Sequence, residues 1–100
     1  MSVLRPTLCR AKDSAPCLTN GTAYLTILSA VKTQRGLLHG KLQASGHYCA
    51  IGSYFKINHI ALPTSLVDEV AAVNDSVPSF TEKQRKNYVI RWLTWQLEKL

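Results

Sequence analysis

The chain has 100 residues, 46% of them apolar, and a formal net charge of +6. That length makes one domain and that apolar fraction excludes a disordered chain, while no apolar run approaches the roughly 20 residues of a membrane span. Three cysteines, Cys9, Cys17 and Cys49, are too few and odd in number for a disulfide scaffold. The opening Met-Ser-Val-Leu-Arg-Pro-Thr lacks the charged-then-apolar pattern of a signal peptide, so a cytoplasmic protein is expected.

Residues 1–18 carry Pro6, Pro16, two cysteines and mixed charge without a helical period. They read as an irregular, extended N-terminal arm, with a helical domain over 19–100. Thr19, Asn20 and Thr22 are each suited to cap a helix over Gly21 to Arg35. Tyr24, Ile27, Leu28 and Val31 supply its buried stripe, flanked by Leu25 and Ala30. Lys32 and Arg35 fall in the last turn, where cations complement the helix dipole, and Gly36 suits the left-handed position after it.

Residues 36–47 hold three glycines and read as an irregular connection. Residues 48–59 fit two templates. As a helix they place Tyr48, Ile51 and Phe55 on one side; as a strand, Tyr48, Ala50, Gly52 and Tyr54 alternate with Cys49, Ile51, Ser53 and Phe55. Periodicity alone leaves both open. The helix is preferred, because Gly52 between small residues suits close helix packing.

Pro63, Thr64 and Ser65 announce another start, with Ser65 and Asp68 as a capping-box-like pair and Asp68 and Glu69 expected in a first turn. Leu66, Val70, Val73 and Val77 repeat at helical spacing. Asn74-Asp75-Ser76-Val77-Pro78 ends that helix, with Asn74 able to take a left-handed exit.

Thr81 to Leu100 contains no Gly or Pro and both tryptophans. Ser79 with Glu82, or Thr81 with Gln84, caps it. Tyr88, Trp92 and Trp95 form one stripe and Val89, Leu93, Leu97 and Leu100 another; with Ile90 they cover roughly 220° of the helix, beyond the usual face of about 100°. Such a helix needs cover from its own domain, from a partner, or from both. Tyr88, Arg91, Trp92 and Trp95 are the residue types that anchor protein interfaces, which makes them the candidate protein-binding residues, and a symmetric homodimer through this helix is a common arrangement. A core helix in a small bundle also needs large side chains, and the two roles are compatible if one stripe is core and the other interface.

The charge is uneven. Residues 61–80 hold Asp68, Glu69 and Asp75 and no base, whereas 81–91 carry Lys83, Arg85, Lys86 and Arg91. Lys32, Arg35 and Lys41 form a second basic set. With Lys83, Arg85 and Lys86 they are the candidates for the alternative function, direct contact with DNA or RNA. A helix-turn-helix over 65–74 and 81–95 is opposed by Pro78 in a long joining segment, by aromatics where base-reading side chains belong, and by Asp68 and Glu69 facing phosphate.

Catalysis finds little support. His39, His47, His59 and the cysteines lack zinc-type spacing, so no metal is expected. Cys49 with a nearby histidine is the only nucleophile–base pair, but it sits in the most apolar stretch of the middle region. No phosphate loop, deaminase signature or paired carboxylates appear. The expectation is no enzyme and no cofactor.

Three marks recur in order: Gln34-Arg35-Gly36 with Gly40-Lys41-Leu42, then Gly46-His47-Tyr48-Cys49-Ala50-Ile51-Gly52-Ser53, then Val73-Asn74-Asp75. In these the chain resembles a family of small uncharacterised bacterial and phage proteins that carry a Trp-x-x-Gly-x-Leu turn, a Gly-x-x-Cys-Ala-x-Gly-Ala core motif and a later Asn-Asp. Ser53 replaces the usual Ala, and Gln34 or Leu37 stands where a Trp is common. The resemblance covers roughly residues 20–100. It implies a compact helical domain carried on phages or other mobile elements in a bacterial host cell, and no activity. Residues and resemblance together give a mostly α, small three- to four-helix single domain with an irregular N-terminal arm. Its expected role is to bind and modulate another macromolecule, as a stoichiometric inhibitor of a host defence protein would (anti-CRISPR-like).

Overall fold

The computed structural model describes residues 8–9 and 18–100. Among them, four helices and two small two-stranded pairs follow in the order β1 (Leu8–Cys9), α1 (Asn20–Lys32), β2 (Gln43–Ala44), β3 (His47–Tyr48), α2 (Ala50–Ile57), β4 (Leu62–Pro63), α3 (Thr64–Asn74) and α4 (Glu82–Glu98). The mostly α single domain read from the sequence is the fold observed. No described helix is long and apolar enough to cross a membrane.

Thr19 caps α1 through its hydroxyl, which accepts from the Thr22 N–H at 3.4 Å. The expected stripe of Tyr24, Ile27, Leu28 and Val31 is buried, together with Ala23 and Ala30, while Leu25 is 56% exposed. α1 packs on both α4 and α2, and α3 closes the core against α2 and α4. Ile27, Val31, Leu37, Ile51, Tyr54, Leu62, Val70, Val89 and Leu93 form its interior.

Several local expectations are corrected. Gly36 is not among the residues with positive φ. Its lack of a side chain serves a close approach instead: a Cβ there would lie 2.6 Å from Glu82 Cβ and 2.8 Å from the Glu82 carbonyl carbon. The Leu37 N–H donates to the Glu82 carbonyl at 3.0 Å, which ties the end of α1 to the start of α4. Residues 36–47 are not wholly irregular. Gln43 pairs with Tyr48 and Ala44 with His47, closed by Ser45 (φ 50°) and Gly46 (φ 80°). Two consecutive positive φ values make the mirror-image turn that matches strand twist.

Residues 50–57 are the helix α2, and Cys49 caps it through Sγ, which accepts from the Gly52 N–H at 3.3 Å. Gly52 is indeed a packing glycine, but its neighbour is the hairpin and not a helix: an added Cβ would overlap the Leu42 carbonyl oxygen. α3 begins two residues earlier than a Ser65 cap implies, directly after Pro63, with no side-chain cap and no acid in its first turn, so Ser65 and Asp68 form no capping box. Pro63 is held extended by the pairing of Leu62–Pro63 with Leu8–Cys9, and the helix starts where that pairing ends. Asn74 takes no left-handed exit; it remains the last helical residue and is buried. Val77 lies beyond α3.

Of the arm expected over residues 1–18, the described parts lie along the body: β1 runs parallel to β4, and the Leu18 N–H donates to the Ala61 carbonyl at 3.1 Å. The rest of that expectation lies outside the described residues.

Candidate functional site

α4 starts at a full capping box. The Thr81 hydroxyl accepts from the Gln84 N–H at 3.1 Å, and the Gln84 side-chain oxygen accepts from the Thr81 N–H at 2.9 Å. With the start fixed, the helical period sends Val89 and Leu93 into the core, and Ile90, Trp92 and Leu97 pack partly against it. The Trp92 ring meets Tyr24 edge-on, with centroids 5.8 Å apart and planes at 81°. Behind it, the Tyr24 hydroxyl donates to Glu69 Oε1 at 3.0 Å. Burial, then the Glu69 carboxylate, push the Tyr24 pKa up to about 12, so the phenol stays protonated.

The other aromatics of the helix face outward. Trp95 is 52% exposed and Tyr88 37%. Tyr88 leans on Phe80 at 5.5 Å, and Lys99 Nζ lies 3.5 Å over the Trp95 ring, a cation–π contact. Together with Arg91, Trp92, Thr94 and Glu98 they line a mostly apolar groove of about 540 Å³. All four expected protein-binding residues therefore lie along one feature. Thr94 and Glu98 were not singled out by composition, although Glu98 stands two turns from Arg91 on the same side, which helical spacing predicts.

The basic candidates divide. Lys32, Arg35, Lys41 and Lys83 are exposed and Lys86 is half-buried. The Gly36–Glu82 contact brings Arg35 and Lys83 to the same end of the domain, each one residue from it. Arg85 is corrected: it is 2% exposed, so it presents nothing to a nucleic acid. Its guanidinium donates to the carbonyls of Leu37 at 3.4 Å, Val77 at 3.0 Å and Pro78 at 3.5 Å, and its Nε has no partner. The fork cross-links the loop after α1 to the loop before α4, which explains why an arginine tolerates burial there. Among these basic residues, His47 Nδ1 lies 3.0 Å from Glu82 Oε1, both well exposed.

A second cavity, of about 200 Å³, lies beneath the hairpin, with Leu42, Cys49, Ile51, Asn74 and Asp75 among its walls. Cys49 is buried, and burial pushes its thiol pKa up, which disfavours the thiolate a nucleophile needs. Among the described residues no three His, Cys, Asp or Glu side chains come together as a metal site. Cys17 lies outside the described residues, and of Cys9 only the backbone is described.

Four of the residues that carry the family resemblance have structural duties. Gly46 makes the hairpin turn, Cys49 caps α2, Gly52 admits the Leu42 carbonyl, and Asn74 joins α3 to α2. None of these four lines the α4 groove. Compared with known proteins, the chain matches no family model, no curated protein and no solved structure.

Proposed function

We propose that this chain acts by binding protein, and that the outward aromatic face of α4 is its docking surface. The observation that carries this is the groove lined by Tyr88, Arg91, Trp92 and Trp95 on a helix whose core requirement is already met by Val89 and Leu93. Large amphipathic rings left half in water beside an arginine are the side chains from which interface hot spots are built. The rings are held before any partner arrives, Trp92 by Tyr24 and Tyr88 by Phe80, so little ordering remains to oppose association.

A role as a stoichiometric, non-enzymatic modulator of a host defence protein is the form of this function that the family resemblance favours. The test compares a tagged full-length chain with its Trp95→Ala variant. A protein retained by the wild type and lost by the variant supports the docking face; equal retention by both places binding elsewhere. Direct nucleic-acid binding is the rival, favoured by the exposed Arg35 and Lys83 on either side of the Gly36–Glu82 contact. Fluorescence anisotropy with duplex DNA over a salt series decides it. A steep loss of binding with salt supports the rival, and no binding at moderate salt removes it.

A further inference from the structure

We infer that the partner seated on the α4 groove is a second copy of this chain, paired antiparallel about a two-fold axis that crosses α4 between Thr94 and Trp95. The inference rests on the docking face proposed above and names its occupant.

The argument begins with two charges. Arg91 and Glu98 line the same groove, are both exposed, and take part in no ion pair among the described residues. They are seven residues apart, so two turns or about 10.5 Å of helix separate them. That is too far for them to satisfy one another along the helix, where pairs form at three or four residues.

Antiparallel pairing centred midway between them sets Arg91 of one copy against Glu98 of the partner, and Glu98 against the partner's Arg91. Thr94 and Trp95 then meet each other across the axis. Parallel pairing in register would instead set arginine on arginine and glutamate on glutamate. One acid and one base on a single face therefore specify both orientation and register, which is the self-complementarity an isologous interface requires. An unrelated partner would have to present the same two charges in reversed order at the same spacing; this chain already does. The pairing also covers Trp95 and the Lys99 ammonium on its ring, the most exposed aromatic group of the helix.

The size of the contact sets its strength. Centred between Thr94 and Trp95, the pairing overlaps residues 91–98 of the two α4 helices, about 12 Å of helix, so it buries well under the roughly 800 Å² per partner of a standard interface. A reversible dimer follows, with a dissociation constant on the order of 10–100 µM.

Charge reversal tests this, because each single reversal spoils both symmetric ion pairs at once. Sedimentation equilibrium is measured on the full chain, on Arg91→Glu, on Glu98→Arg, on the double reversal, and on an equimolar mixture of the two single variants. The wild type should dimerise, and each single variant should associate at least about tenfold more weakly. The double reversal should return to within about threefold of the wild type, since it restores opposite charges at both sites. The mixture should associate although neither component does alone, because one chain presents two acids and the other two bases. Both positions are exposed, so the variants fold, which circular dichroism verifies. A double reversal as weak as the singles overturns the pairing, and so does a wild type that is monomeric up to about 1 mM, well above the expected dissociation constant. In the monomeric case the docking face is judged separately by the Trp95→Ala retention comparison, which does not depend on self-association.

Discussion

Asn74, the last residue of α3, accepts a hydrogen bond from the backbone N–H of Ala50, the first residue of α2, at 3.1 Å. The same side chain donates to the Leu38 carbonyl at 2.7 Å and to Asp75 Oδ1 at 2.7 Å. One amide thus joins the start of a helix, the end of another and the loop after α1, at a site 2% exposed. Neighbouring Asp75 extends the seam by accepting from the Gly40 N–H at 2.9 Å.

Replacing Asn74 by Ala should therefore cost far more than a missing contact. It leaves the buried Ala50 N–H and the Leu38 carbonyl unpaired, at about 1–3 kcal/mol each, for a total of about 2–6 kcal/mol. Urea denaturation checks this: the midpoint should fall with an unchanged slope. A loss below about 0.5 kcal/mol would mean that water or a shifted loop replaces both bonds.

Two glycines of the middle region should lose very different amounts of stability on the same substitution. Gly52→Ala drives a methyl group into the Leu42 carbonyl, which is backbone and cannot swing aside. The hairpin must move off α2, at a cost expected to exceed about 3 kcal/mol. Gly46→Ala meets no atom within 4 Å and suffers only the strain of φ +80°, about 1 kcal/mol. Thermal melts of the two variants should be clearly separated, with Gly46→Ala close to the wild type.

These residues show how much of the molecule its sequence displays. Helices were legible where an apolar period and a cap coincide, as at Thr19 with Tyr24-Ile27-Leu28-Val31 and at Thr81 with Gln84. What was illegible depends on long-range approach. Gly36 and Gly52 have the look of helix-terminal and helix-packing glycines, but what they meet is backbone far along the chain, Glu82 and Leu42. Asn74 has the composition of an exit residue, and only its three-dimensional neighbours make it a buried bridge. Arg85 stood in a run of bases and resembled Lys83, because nothing local distinguishes a solvated cation from one whose partners are carbonyls of two other segments. The groove was legible because it belongs to one helix: position along the period separates Val89 and Leu93 from Tyr88 and Trp95.

Alkaline stability should depend on Tyr24. Its pKa lies near 12 when folded against an ordinary value of 10.0, with burial the larger cause and Glu69 the next. The folded state therefore holds the phenolic proton more tightly than the unfolded chain. The associated stability is fully present below pH 10 and is lost as pH rises toward 12. Burial raises the Tyr54 pKa as well, so the pH profile of the wild type alone does not isolate Tyr24. Tyr24→Phe isolates the effect. At pH 7 the variant should be weaker by about 1 kcal/mol for the lost hydrogen bond to Glu69. Between pH 10 and 12 the wild type should lose stability relative to the variant, so urea midpoints measured at pH 9, 10 and 11 should converge.

The two tryptophans should separate the core role of α4 from its docking role. Trp92 is half-buried against the Tyr24 ring and the core, so Trp92→Ala removes apolar area and an edge-to-face contact and should cost about 2–3 kcal/mol. Trp95 touches water over half its surface and is met by the exposed Lys99, so Trp95→Ala should change stability by less than about 1 kcal/mol. Fluorescence supplies an independent check: with Trp92→Phe the remaining Trp95 emission should be readily quenched by acrylamide, and with Trp95→Phe the remaining Trp92 emission should be shielded. Self-association should protect Trp95 from the quencher as concentration rises and leave Trp92 little changed, because only Trp95 stands at the centre of the proposed pairing. If Trp95→Ala unfolds the chain as readily as Trp92→Ala, the ring is a core residue and the outward face of α4 loses its most exposed anchor.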